Sequence, residues 1–541
     1  MMMHFDPGFV PYPSTRYPLY ARQGMVAASS PQASAAGLDM LRKGGNAVDA
    51  AIASATALTV VEPTANGIGS DAFALVWMEK EKKLYGLNAS GWAARDISID
   101  KVLAGKPKGN VMPSLGWAPT MVPGAPKGWA ALNARFGRLK LPEVMAPAIT
   151  YAREGYPAAP NLARMWQLAA GKYEALRGDP VFEEWFKTFL FEGKAPVTGQ
   201  MVKLPQHACT LQLIADSMAE DFYKGELAAQ IIADSREFGG FFCPEDFSDY
   251  EVSWVEPISV SYRGYDVCEI PPNGQGIVAL MALNILKNFE FVQRETADSF
   301  HLQWEAMKLA FADGKHYVTD PARMDLTHQM LLDPAYGKAR ADLIGQTAAA
   351  PAVGMPPKSG TVYLCTADGE GNMVSYIQSN YMGFGSGVVV RSTGIALQNR
   401  GHDFSLNPSD RNALAPRKKT YHTIIPGFLM EDGEAVGPFG VMGGYMQPQG
   451  HVQVVQNLID FNMNPQQALD APRWQWMQDK HFLVEHSFNN EIAKQLASRG
   501  HQVEVALDSA HFGRGQIILK GENGVLIGGT EGRTDSNIAC Y

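Results

Sequence analysis

Residues 361–379 read TVYLCTADGEGNMVSYIQS, two runs of neighbouring apolar residues joined by a tight polar turn, DGEGN. A strand wetted on one side alternates apolar with polar residues, whereas these two runs carry apolar residues toward both faces. They predict a hairpin covered above and below, in the middle of a layered structure.

The rest of the chain supplies the layers. SAAGLDMLRKGG has apolar positions at helical spacing and glycines where the chain must leave the helix. Asn46 can cap a second helix with Asp49 in its first turn, and AAIASATALTVV is apolar nearly all round, as a helix between layers should be, until Pro63 ends it. NGIGSDAFALVWME then reads as a glycine turn into a buried strand. Residues 120–350 read as mainly helical, with segments such as APKGWAALNARFG, CTLQLIADSMAEDFYKGELAAQII and FHLQWEAMKLAFADGKHYV, interrupted by a hairpin in PISVSYRGYDVCEI around Val260, Tyr262 and Gly264. Beyond residue 360 strands are predicted at GVVVRSTGIALQN, IIPGFLMEDGE and GPFGVMGG, a helix at GHVQVVQNLIDF, and late strands at QVEVAL, GQIILK and VLIGGT. No internal repeat is present. Strands and helices in this order, with sheets buried on both sides, imply a layered α/β domain.

Composition removes several classes of partner. The net charge is −9 with no long run of Lys and Arg, so neither nucleic acid nor an anionic membrane is expected, and a small molecule is. The five cysteines, Cys209, Cys243, Cys268, Cys365 and Cys540, are scattered and odd in number, which argues against a disulfide framework and for a reducing compartment. The twelve histidines form no HExxH or HxH pair, so no metal is predicted. The first 25 residues carry prolines and charges where a signal peptide would need an apolar core, and no stretch reaches the roughly 18 apolar residues of a membrane span. A cytoplasmic protein is expected.

One strong composition shift remains. GQTAAAPAVGMPPKSG, residues 345–360, reads as a linker and ends abruptly at Thr361, where the buried hairpin begins. A threonine hydroxyl is a poor nucleophile without an adjacent base, and one solution uses the residue's own α-amine, available only at the start of a chain. With a reference pKa of about 7.7 to 8.0 that amine accepts a proton near neutral pH. Cutting between Gly360 and Thr361 would create it, and would leave the threonine at the edge of a rigid sheet. A β-branched residue opening a strand is the plain alternative.

Wider context comes from five ordered segments: GGNAVDAAIASATALTVVEPTANGIGSDAF, the T-x6-D-G-x-G-N pattern from Thr361, NYMGFGSGVV, HDFS and GVMGG. In order and spacing they resemble the γ-glutamyltransferase (glutathione hydrolase) family, most of all its bacterial glutathione-hydrolase-like branch, over residues 24–475 and more loosely to the end. The resemblance implies an N-terminal-nucleophile hydrolase with an αββα four-layer sandwich. It implies one precursor that cuts itself into a large subunit, 1–360, mainly helical plus strands, and a small one, 361–541, the two staying together as a heterodimer. No cofactor is implied. Thr361 resembles the family's nucleophile, Ser379 stands where relatives have a threonine near it, and Gly443 and Gly444 match the glycine pair facing the oxyanion. Asp403 matches the acid that binds the substrate's α-ammonium, and His422 and Thr423 stand where many relatives have two serines holding a carboxylate. Relatives place a carboxylate-gripping arginine in an R-E-x-A-P or S-G-R-A-P segment; here LNASGWAARD puts Trp92 there and Arg95 three residues on. Either Arg95 reaches the site or the acyl group differs from γ-glutamyl. The stretch Ser405 to His422 is shorter than in relatives with a long lid, which favours hydrolysis over transfer. The activity implied is cleavage of γ-glutamyl amides such as glutathione; the alternatives are a family acylase or amidohydrolase on another carboxyacyl amide, and an uncleaved, non-catalytic binding protein. A serine hydrolase around GFGSG is disfavoured, since the spacing is not G-x-S-x-G.

Overall fold

Two antiparallel seven-stranded sheets lie face to face in the computed structural model, which describes residues 16–351 and 360–541. Half of the linker, residues 352–359, and most of the N-terminal segment discussed above fall outside the described residues. The first sheet runs, in spatial order, Leu19–Ala21, Leu526–Thr530, Arg514–Lys520, Glu434–Met442, Gly427–Glu431, Tyr265–Glu269 and Ile258–Tyr262. The second runs Asn537–Cys540, Gly24–Ala28, Gly360–Asp368, Met373–Tyr381, Asp71–Met78, Lys83–Ala89 and Ser253–Val255. The predicted hairpin is thus the centre of the second sheet, with Cys365 opposite Ser375 and Ser379 opposite Asp71.

Its two-sided burial has a direct structural expression. Tyr363, Cys365, Ala367, Met373 and Ile377 point into the core between the sheets, while Val362, Leu364, Val374 and Tyr376 point into a core shared with helices on the outside. Helices Gly276–Leu286, Ala297–Tyr317 and Met446–Ile459 cover the outer face of the other sheet, completing the αββα sandwich. Where the sheets meet, Gly440 lies under the Tyr363 ring: a Cβ there would sit 2.5 Å from Cε2.

The inner helix Ala47–Val61 is buried at every position. Asn46 caps it by accepting from the Val48 and Asp49 N–H groups at 3.0 and 3.1 Å, and Asp49 accepts in return from the Asn46 N–H at 3.0 Å. Asp368 of the hairpin turn accepts from the Ala47 N–H at 3.0 Å, and the Thr366 hydroxyl donates to the Ala47 carbonyl at 2.6 Å. Small residues let the neighbouring helix Pro31–Arg42 come close, since a Cβ at Gly37 would lie 2.5 Å from Ser54 Oγ.

Two expectations change. GVVVRSTGIALQN forms turns with isolated bridges such as Val389 to Ala396, because left-handed backbone at Gly385, Gly387, Ser392 and Gly394 interrupts any ladder. CTLQLIADSMAEDFYKGELAAQII divides into the helices Pro205–Asp216, Glu220–Lys224 and Glu226–Glu237, since Met218 and Ala219 take positive φ. A small third sheet, Trp474–Gln478, His481–Glu485 and Gln502–Ala506, has its last pair parallel. Chain from both sides of residue 360 contributes strands to each large sheet. No helix of the described residues is long and apolar enough to cross a membrane.

Candidate active site

Thr361 is fully buried at the start of the central hairpin, its Oγ1 3.0 Å from Ser379 Oγ on the paired strand. Both side chains belong to the face between the sheets, in step with Tyr363 and Ile377. Ser379 Oγ also accepts the Tyr381 N–H at 2.8 Å. Tyr381 pairs with Gly360 beside an irregularity in the ladder and holds a φ of 78°, a left-handed conformation that costs a bulky residue about 1–3 kcal/mol. The surroundings fix it there: its hydroxyl donates to Asp403 Oδ1 at 2.6 Å, and the Arg400 guanidinium lies 4.0 Å from its ring centroid.

Arg400 and Asp403 are the two ends of one 3-10 turn, Arg400–Asp403, in which residues three apart stand on one side. Arg400 Nη1 is 3.5 Å from Asp403 Oδ2 and donates to Thr423 Oγ1 at 2.6 Å. The Tyr445 hydroxyl approaches Asp403 Oδ1 from the other side at 3.4 Å. Burial raises the Asp403 pKa against the pull of Arg400 and the tyrosine hydroxyls, and burial brings Lys315 down to about 8 against the opposing charge of Asp403. Lys315 Nζ sits 4.9 Å from the Tyr445 ring centroid.

Gly443 and Gly444 form the turn between the strand Glu434–Met442 and the helix Met446–Ile459, with φ of 138° and 61°. A Cβ at Gly443 would lie 3.1 Å from Gly513 Cα, so the turn needs glycine for space as well as conformation. The Met446 and Gln447 N–H groups donate back to the two glycine carbonyls, while among the described residues neither glycine N–H donates a hydrogen bond. Two adjacent uncommitted N–H groups are what an oxyanion requires. Gln275 Nε2 donates to the carbonyls of Gly444 and Thr423 at 2.8 and 2.7 Å, tying this turn to the segment that carries His422 and Thr423.

Of the residues singled out from sequence, Thr361 with Ser379, Asp403 with Thr423, and the glycine pair are joined through Tyr381, Arg400, Tyr445 and Gln275. His422 has a structural environment: burial, with Arg400 and Lys419 acting the same way, holds its pKa well below the usual range, so the ring is neutral. Its Nδ1 accepts from the Ile424 N–H at 3.4 Å, which leaves Nε2 to donate to Asp71 Oδ2 at 3.1 Å. Asp71 also accepts from the N–H groups of Gly91 and Gly124, and burial pushes its pKa up to about 6.

Arg95 is not brought into this cluster. It is exposed, its N–H donates to Asp246, and among the described residues no hydrogen bond or ion pair joins its side chain to Thr361, Ser379, Asp403 or the glycines. Trp92 explains why: it packs edge-on against Tyr250 at 5.3 Å and donates from Nε1 to the Asp246 carbonyl, holding residues 92–95 on a neighbouring turn. The buried cation of the site is Arg400, which sequence reasoning missed; its signal was the i, i+3 spacing in NRGHD.

The fold also assembles one cluster of metal-ligating types that no local motif announced, His301, Glu305 and His501, with ligand atoms within 4.8 Å of one another. Those groups engage each other and a lysine: His301 Nδ1 is 2.8 Å from His501 Nε2, and Glu305 Oε1 is 2.5 Å from Lys308 Nζ. A metal would have to displace the ammonium, so the donor set fits a cation poorly.

Comparison with known proteins gives concordant relatives. A family model described as Gamma-glutamyltranspeptidase matches residues 33–541. The glutathione hydrolase-like YwrD proenzyme of Bacillus subtilis is 37% identical over 520 residues, covering 94% of this chain and 97% of the relative. The oxamate amidohydrolase proenzyme of Klebsiella pneumoniae is 34% identical, covering 96% and 98%. The crystal structure of a cephalosporin acylase from Bacillus halodurans superposes with a TM-score of 0.95 at 55% identity, covering 99% of each chain.

Proposed function

Because the chain belongs to the gamma-glutamyltranspeptidase family, we propose that it is a self-processing amide hydrolase in which Thr361 is the nucleophile of both cleavage and turnover. The observation that carries this reading is the buried Thr361 hydroxyl, 3.0 Å from Ser379 Oγ, on the second residue of the central strand Gly360–Asp368. In maturation the Thr361 oxygen attacks the Gly360 carbonyl, the Gly360–Thr361 amide bond breaks, and the resulting ester is hydrolysed by water. The products are a Gly360 carboxylate ending the large subunit, 1–360, and a free Thr361 amine beginning the small one, 361–541. The amine then takes the hydroxyl proton during attack on substrate. Gly443 and Gly444 donate N–H groups to the tetrahedral oxyanion, Ser379 orients the nucleophile, and water releases the acyl group.

The substrate class is an amide whose acyl group bears a second carboxylate. Asp403 Oδ1 is engaged by Tyr381 and Tyr445, while its buried Oδ2, 3.5 Å from Arg400 Nη1, accepts no hydrogen bond among the described residues and leaves an acceptor for an α-ammonium. γ-Glutamyl amides such as glutathione are the second reading, favoured by the position of Asp403 in HDFS. Hydrolysis over transfer follows from the short Ser405 to His422 stretch. Intact mass and N-terminal sequencing of wild type beside Thr361→Ala test the nucleophile. Two chains, one beginning Thr-Val-Tyr-Leu, are expected from wild type and one uncut chain from the variant; a stable full-length wild type would replace this reading with a non-catalytic binding protein. Release from a γ-glutamyl against a glutaryl chromogenic amide then separates the two substrate readings.

A further inference from the structure

Arg400 is a cation with three of its five N–H donors unspent among the described residues. The residue is 1% exposed, and its Nη1 is committed to Thr423 and Asp403. Its Nε and Nη2, both buried, have no hydrogen-bond partner among the described residues. These two nitrogens form one edge of the planar guanidinium, the edge that meets a carboxylate through two parallel N–H···O bonds. Leaving such donors unmet in a protein interior is costly, on the order of 1–3 kcal/mol for a polar group and more for a charged one. A site that keeps them is built for something that fills them.

The charges around this edge agree. Three cations, Arg400, Lys315 and Lys419, act on two carboxylates, Asp403 and Asp71, while His422 is neutral. The position is equally specific. The guanidinium rests on the ring of Tyr381, Tyr381 is the register partner of Gly360, and Ser379 links Tyr381 to Thr361. Cutting after Gly360 frees the register partner of Tyr381 from the rest of its strand.

We infer that the Nε–Nη2 edge of Arg400 is the binding site for the carboxylate of the substrate's acyl group, so that Arg400 selects carboxyacyl amides over plain fatty acyl amides. This rests on the proposed hydrolase reading, and supplies the anion clamp that neither Trp92 nor Arg95 provides. Asp403 is then a positioning residue that orients Arg400 through Nη1, with Thr423 as the second support.

The test uses matured two-chain protein, verified by mass before any substrate is added. Glutaryl and butyryl p-nitroanilides differ only in the terminal carboxylate, and free glutarate and butyrate serve as competitors. Wild type is expected to prefer the glutaryl amide by roughly 10²-fold in kcat/KM, mainly through KM, and to be inhibited by glutarate far better than by butyrate. Arg400→Gln should collapse that preference to within a fewfold, and Arg400→Lys, which keeps the charge but loses the fork, should restore only part of it. Glutarate competing no better than butyrate in wild type would overturn the assignment whether or not the variants fold. So would an Arg400→Gln enzyme that loses both substrates equally, since that is the mark of a merely structural arginine. A wild type that stays uncut would instead bring down the nucleophile reading, and this inference with it. Two chains that bind glutarate yet hydrolyse neither amide would sink the hydrolase reading and leave the carboxylate site standing.

Discussion

Ser379→Ala removes one oxygen and at least two of its contacts. The first is the 3.0 Å contact with Thr361 Oγ1, and the second is the 2.8 Å bond accepted from the Tyr381 N–H. The second matters more for the backbone, because Tyr381 is fully buried at a φ of 78° and its N–H would be left unmet at a cost of about 1–3 kcal/mol. Relaxing Tyr381 also displaces the hydroxyl that holds Asp403. The first contact is a neutral hydrogen bond, worth about 0.5–1.5 kcal/mol to the placement of the attacking oxygen. At about 1.4 kcal/mol per factor of ten, the two together predict precursor cleavage and turnover slowed by roughly ten- to a thousandfold, in a protein that still folds. Self-cleavage is followed by intact mass from freshly purified precursor, turnover by amide release, and folding by cooperative melting. Ser379→Thr, which keeps the hydroxyl, should recover most of the rate. A Ser379→Ala protein that matures and turns over within twofold of wild type would refute the argument, since Thr361 would then be oriented by something else.

Gly440→Ala places a Cβ 2.5 Å from the Tyr363 ring, two residues beyond the proposed nucleophile Thr361, and should cost about 1–3 kcal/mol in thermal unfolding while slowing maturation. Glu531 offers a pH-dependent test. Burial raises its pKa, but Arg473 and Arg533, at 2.9 and 2.7 Å, override burial and hold it at about 2. The folded value lies below the ordinary 4.5, so its contribution to stability is complete above pH 4.5 and drains away as pH falls toward 2. Glu531→Gln should therefore lose about 3–5 kcal/mol at pH 7 by chemical denaturation, with the gap to wild type closing below pH 4.5.

The parts of the fold that were legible in the sequence are those specified by contiguous residues. Asn46 and Asp49 cap the buried helix because a cap needs only its own first turn, and the hairpin around DGEGN is central because its strands are apolar on both faces. Positive-φ turns within GVVVRSTGIALQN were harder to foresee, as Ser392 takes a conformation its residue type does not advertise. The site divides the same way. Thr361 stood out through a change of character at one point in the chain, and Gly443–Gly444 through residue type. Arg400, Tyr381, Tyr445 and Gln275 acquire their roles only through partners distant in sequence, Thr423, Asp403 and the Gly444 carbonyl. Arg95, three residues from Trp92 in the chain, stays outside the site, and the guanidinium comes instead from the 3-10 turn Arg400–Asp403 after the hairpin.

The interleaving of strands from either side of residue 360 sets the thermodynamics of the finished protein. An intact precursor folds by a first-order process, with the effective concentration of its halves fixed by a covalent chain. The proposed cut after Gly360 leaves the ladder from Val362 onward in place but makes reassembly second order, and the released segments expose central strands that aggregate before they meet. The mature enzyme would then owe its lifetime to the height of the unfolding barrier and no longer to a reversible equilibrium. Refolding yield after denaturation should thus be high for the Thr361→Ala precursor and low, and dependent on concentration, for the processed form.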